Sequence, residues 1–532
     1  MNPATGERFG EIPMATPADV EQAMLDMRAA AAIWGRKPVA ERVRILRLFQ
    51  EAIIDARDEI SAVINQDCGK SRQDALIELL VTADFTNEYC NRAPEWLRPQ
   101  EVSRGLYLFK KCLIEYRPRG VVAVIAPWNY PLLLSMPPMV AALLAGNTVL
   151  LKPSEVTAAT GALVERLFQR VPELAPFVRV LHGDGSIGAS LVRAKPDFIF
   201  LTGSTPTGKK VMRAAAEHLI PVTCELGGKD ATIVLEDADI SAAARWSVWG
   251  AFFNAGQTCM AVERVYVVEP VHEQFVRESI RWTRELRAGY STDKNSPYAL
   301  GPMTFPGQVE IVERHLDDAL AKGARVLTGG RRTGMFFEPT VMVEVTHDML
   351  LMQEETFGPI LPIVKVKDEQ AALKMANDSQ YGLGASVWSR DVEHAQRVAR
   401  QMQAGSVLIN DAICQFAVPM LPFGGVKQSG FGRTHGRDGL MQFAQPHAYV
   451  VGDPPWPFDV ATILRQPGHY DATAAIMRLA FGATARQRLG PLAEVVTQAA
   501  KKADKRAVGA VLGVIGALAG LAFVISRGKP KS

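Results

Sequence analysis

The thiol of Cys259, in the run FFNAGQTCMAVERV (252–265), is the most nucleophilic side-chain type this sequence offers. As a thiolate it could attack an electrophilic carbon. A free cysteine is also a common small buried residue, so its type alone leaves both readings open. Other chemistry-bearing residues fall at the ends of short β-rich runs. GVVAVIAPWN (120–129) ends in Asn129, NTVLLKPSE (147–155) holds Lys152 and Glu155, DFIFLTGS (197–204) ends in Gly203 and Ser204, and PVTCELGG (221–228) holds Glu225. In open α/β sheets ligands bind at the carboxyl ends of the strands, which makes these the positions to search for chemistry.

The stretch GSTPTGKK (203–210) is one residue short of a P-loop, with Lys210 standing where that motif needs Ser or Thr for Mg²⁺. A nucleotide triphosphatase is therefore an alternative from another class. Glycines and Ser204 at a helix N-terminus offer N–H groups and a positive dipole end to any phosphate, a dinucleotide's pyrophosphate included. Glu155 could then accept hydrogen bonds from the adenosine ribose, with Lys152 helping to hold it.

Holding these groups at strand ends requires β-rich runs alternating with helices, here expected over 131–145, 157–170 and 206–218, which gives parallel sheets with crossover helices. The 532 residues, 48% of them hydrophobic, can bury large cores and divide into two or three domains. The six cysteines form no CxxC pair and no cluster with His at ligand spacing, so neither a disulfide framework nor a metal site is indicated. The N-terminus shows no secretory signal.

The net charge of +3 hides an asymmetry: residues 501–532 carry seven Lys/Arg and one acid, leaving 52 bases and 55 acids before them. No basic stripe for nucleic acid is visible in that body. The tail's bases bracket AVGAVLGVIGALAGLAFVI (507–525), whose 19 uncharged residues in a helix would span roughly 28 Å, membrane length. Gly509, Gly513, Gly516 and Gly520 share one helical face, as in membrane helices that pack closely. The expectation is a single-pass C-terminal anchor with the catalytic body in the cytoplasm.

PWNYP (127–131), KPSE (152–155), GSTPTG (203–208), ELGGK (225–229), GQTC (256–259), EETFGP (354–359) and LPFGGVKQSG (421–430) together resemble the NAD(P)-dependent aldehyde dehydrogenases. The motifs keep the family's order over about residues 1–450, and the membrane-anchored fatty-aldehyde branch is the nearest in kind. The resemblance implies an α/β fold with a Rossmann-like dinucleotide-binding domain (1–99 and 119–226), an α/β catalytic domain (227–430) and a β bridging arm (100–118 and 431–452). A linker with an amphipathic stretch (453–506) and the transmembrane helix (507–525) follow. It also implies a homodimer or homotetramer.

By the same resemblance Cys259 attacks the aldehyde, Asn129 donates to the oxyanion and Glu225 activates the water that hydrolyses the thioester. Positive charge or local dipoles are expected near Cys259 to raise its thiolate fraction. Trp128, Lys152, Glu155, Gly203, Ser204, Gly208, Leu226, Glu355 and Phe357 are the cofactor residues, with NAD favoured by Glu155 and NADP as the alternative. Tyr130, Leu133, Leu134, Met260 and Phe423 form a substrate tunnel without a cation for an acidic tail. A medium- or long-chain aliphatic aldehyde fits this lining. Pro138 and Thr434 depart from the pattern, for many tetrameric members carry a Lys and a Glu there as a proton relay. A semialdehyde-specific or CoA-acylating relative and a catalytically idle membrane-tethered scaffold are the competing readings.

Overall fold

The computed structural model describes residues 1–105 and 110–452, with positions 470, 474, 477, 478 and 481–484. The apolar run 507–525, and most of the 453–506 linker, lie outside the described residues. None of the described helices is long and apolar enough to cross a membrane.

Two sheets carry the site. The first is built from β1 (Val121–Ile125), β2 (Thr148–Lys152), β3 (Val178–Val180), β4 (Phe198–Thr202) and β5 (Val222–Glu225). Its parallel strands run in the order β3-β2-β1-β4-β5, with the two-residue strand Gly430–Phe431 antiparallel on the outer side of β5. This is the doubly wound order of dinucleotide-binding sheets, and its direction reverses between β1 and β4. Asn129 follows β1, and Gly203 and Ser204 follow β4, so two of the expected strand-end groups flank the crevice that the topology opens. The strands read as continuous apolar runs because helices cover both faces: all five residues of β1 and of β2 are buried.

The second sheet comprises β6 (Asp230–Val234), β7 (Val262–Val268), β8 (Arg325–Thr328), β9 (Thr340–Val343), β10 (Ile360–Val366), β11 (Gly384–Trp388) and β12 (Ser406–Ile409). The order is β8-β9-β10-β7-β6-β11-β12, parallel except for the antiparallel β8–β9 pair. Four residues, Leu226 to Lys229, join β5 of the first sheet to β6 of the second. The ELGGK motif is thus the hinge between the two sheets.

The described residues divide into two compact units, Met1–Arg98 with Tyr116–Pro446, and Pro99–Glu115 with those from His447 on. Both large sheets belong to the first unit. The second holds most of the three-stranded sheet Gln100–Val102, Lys110–Pro118 and Ala444–Gly452. Strands from both segments expected to form a bridging arm pair in this sheet, and residues 431–443 fall within the large unit, where Gly436–Met441 is a helix.

Local differences from the expected helices have physical causes. The helix expected over 131–145 begins only at Met136, with Pro137 and Pro138 in its first turn, where no intrahelical N–H is required. The preceding turn is held by the Leu133 N–H donating to Glu78 Oε2 at 3.2 Å. The GSTPTGKK stretch forms no P-loop: Ser204 caps a helix that starts at Thr205 and runs to Ala216, leaving no loop to wrap a phosphate chain. The triphosphatase alternative is thereby removed.

Candidate active site

Cys259 is delivered by a sharp reversal of the chain. The helix Ile240–Phe252 is followed by Asn254, Ala255 and Gly256, all in left-handed conformation with φ of 53°, 54° and 74°. Asn tolerates this region and Gly favours it, but for Ala it costs about 1–2 kcal/mol. A Cβ at Gly256 would collide with the Gly358 carbonyl. Gln257 holds the turn: its Nε2 donates to Asn254 O at 3.0 Å, and its Oε1 accepts from Thr304 N at 2.8 Å.

The PWNYP loop is tied to this turn. Asn129 Nδ2 donates to Gln257 O at 3.1 Å, Asn254 Nδ2 donates to Asn129 O at 3.2 Å, and the Tyr130 and Thr258 hydroxyls pair at 2.7 Å. One Asn129 N–H is thus engaged in orienting the amide, which has a second to offer. Beneath the loop lies a buried ion pair that sequence reasoning missed. Lys70 Nζ meets Glu78 Oε1 at 2.6 Å and donates to Asn129 O at 2.7 Å. Lys70, in the loop before the helix Arg72–Trp96, and Glu78, on that helix, precede Asn129 by more than fifty positions, and no local spacing links them to it.

Glu225, the last residue of β5, is 6% exposed and neither carboxyl oxygen has a partner. Burial pushes its carboxyl well above the ordinary range, and Arg433 pulls it back only in part. Cys259 is half-buried. Its environment differs from the expectation of nearby positive charge: desolvation, then the carboxyls of Glu355, Asp230 and Glu225, push the thiol well up.

Two cavities meet at these residues. A narrow apolar one of about 20 Å³, room for roughly one water, is walled by Leu133, Leu134, Phe416 and Phe423 together with Cys259 and Glu225. Pro138 and Thr434 line it as well, so no ionisable side chain stands at either of those positions. A wider cleft of about 190 Å³ runs along the crevice between β1 and β4, and Cys259, Glu225, Leu134 and Leu226 belong to both spaces. Cys259 and Glu225 therefore stand on the wall shared by the two spaces.

The wider cleft gathers most of the expected cofactor residues. Trp128, Gly203, Ser204, Leu226, Glu355 and Phe357 line it, with Asn129. A Cβ at Gly203 would meet only Leu201, at 3.8 Å, so a phosphate can approach the backbone there, whereas a Cβ at Gly227 would collide with the Glu355 carboxylate. Glu355 Oε1 accepts from Gly228 N at 3.0 Å, and burial with neighbouring Glu263 pushes its carboxyl up to about 8. The Trp128 ring meets Phe357 edge-on at 5.4 Å. The EETFGP loop rests on a second buried pair missed from sequence, Lys229 with Glu263, whose carboxylate accepts the Thr356 and Phe357 N–H groups at 2.9 Å each.

Five expected residues sit elsewhere. Gly208 does not face the cleft; it packs on Leu226, where a Cβ would come within 2.8 Å of that side chain. Lys152 is buried and pairs with the more exposed Glu155 at 2.8 Å, outside the residues lining the cleft. Met260 touches the apolar cluster of Tyr130, Leu133, Leu134, Phe416 and Phe423 but lines a separate small chamber behind Cys259. Tyr130 belongs to that cluster without lining the narrow cavity.

The sequence profile described as the aldehyde dehydrogenase family matches residues 1–448. The chain belongs to the aldehyde dehydrogenase family. It is 42% identical over 449 residues to a 4,4'-diapolycopene aldehyde oxidase of Methylomonas sp., covering 84% of both chains. It is 34% identical to a putative NADP-dependent succinate-semialdehyde dehydrogenase of Mycobacterium ulcerans, covering 85% of this chain and 89% of that one. Among solved structures, betaine aldehyde dehydrogenase of Staphylococcus aureus in complex with NAD+ superposes with a TM-score of 0.81 at 30% identity, over 86% of this chain and 91% of that one. The chain is accordingly an oxidoreductase of aldehydes, and its family works with NAD(P).

Proposed function

We propose that this member oxidises an apolar aldehyde, of medium or long chain, to the carboxylic acid with NAD, and does so at a membrane to which residues 507–525 anchor it with the body on the cytoplasmic side. The observation that carries the reading is the shared wall: Cys259 and Glu225 face both an apolar cavity and the crevice of a dinucleotide-binding sheet. Cys259 Sγ attacks the aldehyde carbon from the apolar side, and the second N–H of Asn129 serves the oxygen as it gains charge. Bound NAD(P)+ supplies the hydride acceptor, leaving the acyl group as a thioester on Cys259. Glu225 then takes a proton from a water held in the cavity, and the resulting hydroxide displaces the thiolate to release the acid. A raised carboxyl suits this task, because the less acidic the group, the stronger the base it becomes once ionised.

The relatives are named for different aldehydes, and the lining supports an apolar one for this chain. Succinate semialdehyde carries a carboxylate, and the narrow cavity is lined by no Lys or Arg. An apolar chain meets Leu, Pro and Phe instead. The test is formation of reduced cofactor by the detergent-solubilised full chain over aldehydes of increasing length, with Cys259→Ala as control. kcat/KM should rise with chain length and vanish in the variant. A preference for succinate semialdehyde, or a requirement for CoA, sinks the proposal. Extraction by alkaline carbonate would overturn the anchor.

A further inference from the structure

The small chamber behind Cys259, about 10 Å³, poses a hydrogen-bonding problem. Asp230, at the start of β6, is 5% exposed; its Oδ1 accepts from Gly384 N at 2.9 Å, and its Oδ2 has no partner. Gln415 is 6% exposed, and its Oε1 also has none. Both residues line the chamber, beside the Thr232 and Ser386 hydroxyls, which pair with each other at 2.8 Å. They face one glycine: a Cβ at Gly384 would collide with Asp230 Oδ2 and come within 2.8 Å of Gln415 Nε2. Two buried acceptors without a donor are costly, so a proton on Asp230, or one enclosed water with two hydrogens to give, is needed there.

The chamber is coupled to the nucleophile. A Cβ at Gly228 would lie 2.5 Å from the Cys259 carbonyl and 2.8 Å from Asp230 Oδ1, so the carboxyl and the backbone of Cys259 pack on the same residue. We propose that Asp230 is a positioning acid behind the nucleophile: protonated, and linked through the chamber to Gln415, it lets Cys259 ionise, whereas its ionised form opposes the thiolate. This rests on Cys259 being the nucleophile. The charged groups facing Asp230 are Glu263 and Arg264 of β7, with Glu355 and Cys259 beyond. Burial pushes the carboxyl up to about 7, so the two forms exchange near neutral pH.

The test is the rate of Cys259 alkylation by iodoacetamide in the full-length protein from pH 5.5 to 9, comparing wild type with Asp230→Asn, an isostere of the protonated form. The ratio of variant to wild-type rate should be near one at the acid end and rise to about tenfold above neutrality, a one-unit shift of the thiol. A ratio independent of pH, whether one or not, overturns the proposal, because a merely structural effect changes reactivity at every pH. If Asp230→Asn does not fold, Glu355→Gln decides: an inflection near neutral pH that persists with the Glu355 carboxyl removed supports the coupling, and its absence refutes it. Full aldehyde turnover by Cys259→Ala would instead overturn the reading of the nucleophile, a distinct result.

Discussion

Replacing Glu225 by Gln should damage the reaction and strengthen the fold, with a pH signature that separates the two effects. In the unfolded chain a glutamate ionises at about 4.3. In the folded protein Glu225 is buried, has no hydrogen-bond partner and is pushed well above that value. For a group raised on folding, stability is fully present below the unfolded value and is lost as pH rises toward the folded one. Between those limits the loss is about 1.4 kcal/mol per pH unit. From pH 5 to pH 7 the wild type should therefore lose up to about 2–3 kcal/mol relative to Glu225→Gln, which has no proton to release. Unfolding midpoints of both proteins at pH 5, 6, 7 and 8 measure this, and the variant's advantage should grow with pH. In the reaction the variant should form one equivalent of reduced cofactor per site and then turn over about 10²–10⁴-fold more slowly, since the acyl group cannot be hydrolysed. Turnover within a few-fold of wild type, or a stability difference that ignores pH, would refute the reasoning.

Gly227→Ala places a methyl group against the Glu355 carboxylate and should raise the KM for cofactor far more than that for aldehyde, as read from initial rates. Glu155→Ser should shift the kcat/KM ratio of NADP to NAD upward by about fivefold, the effect of removing roughly 1 kcal/mol of screened repulsion from a 2′-phosphate. Lys229→Met strands the Glu263 carboxylate beneath the EETFGP loop and should cost about 3–5 kcal/mol in urea unfolding, with loss of cofactor binding.

The parts of the site that were legible in the sequence are those fixed by strand ends. Asn129, Gly203, Ser204 and Glu225 follow apolar runs too short for helices, and the parallel topology then carries each to the crevice between β1 and β4. Cys259 was recognisable because GQTC follows ELGGK in order, not because its own surroundings announce a nucleophile. The supports were hidden for a physical reason: Lys70 and Glu78 lie far from Asn129 in sequence, Lys229 and Glu263 meet only when β6 and β7 pair, and a charged residue in sequence reads as solvated. The left-handed turn at Asn254 and Ala255 was equally silent, since an alanine there carries no signal of the conformation that tertiary contacts impose. The surroundings of Cys259 were not legible because the carboxyls of Glu225 and Asp230, at the two ends of the linker between the sheets, and of Glu355, from a distant loop, converge only in the fold.

Because Cys259 and Glu225 line both spaces, the proposed reaction has aldehyde and dinucleotide reach them through different compartments. A molecule with an apolar tail and a thiol-reactive head could seal the enzyme from the narrow side while the crevice stayed open to dinucleotide. Such an inhibitor would lose potency as aldehyde is raised and keep it as cofactor is raised, so its competition pattern would report which doorway each reactant uses.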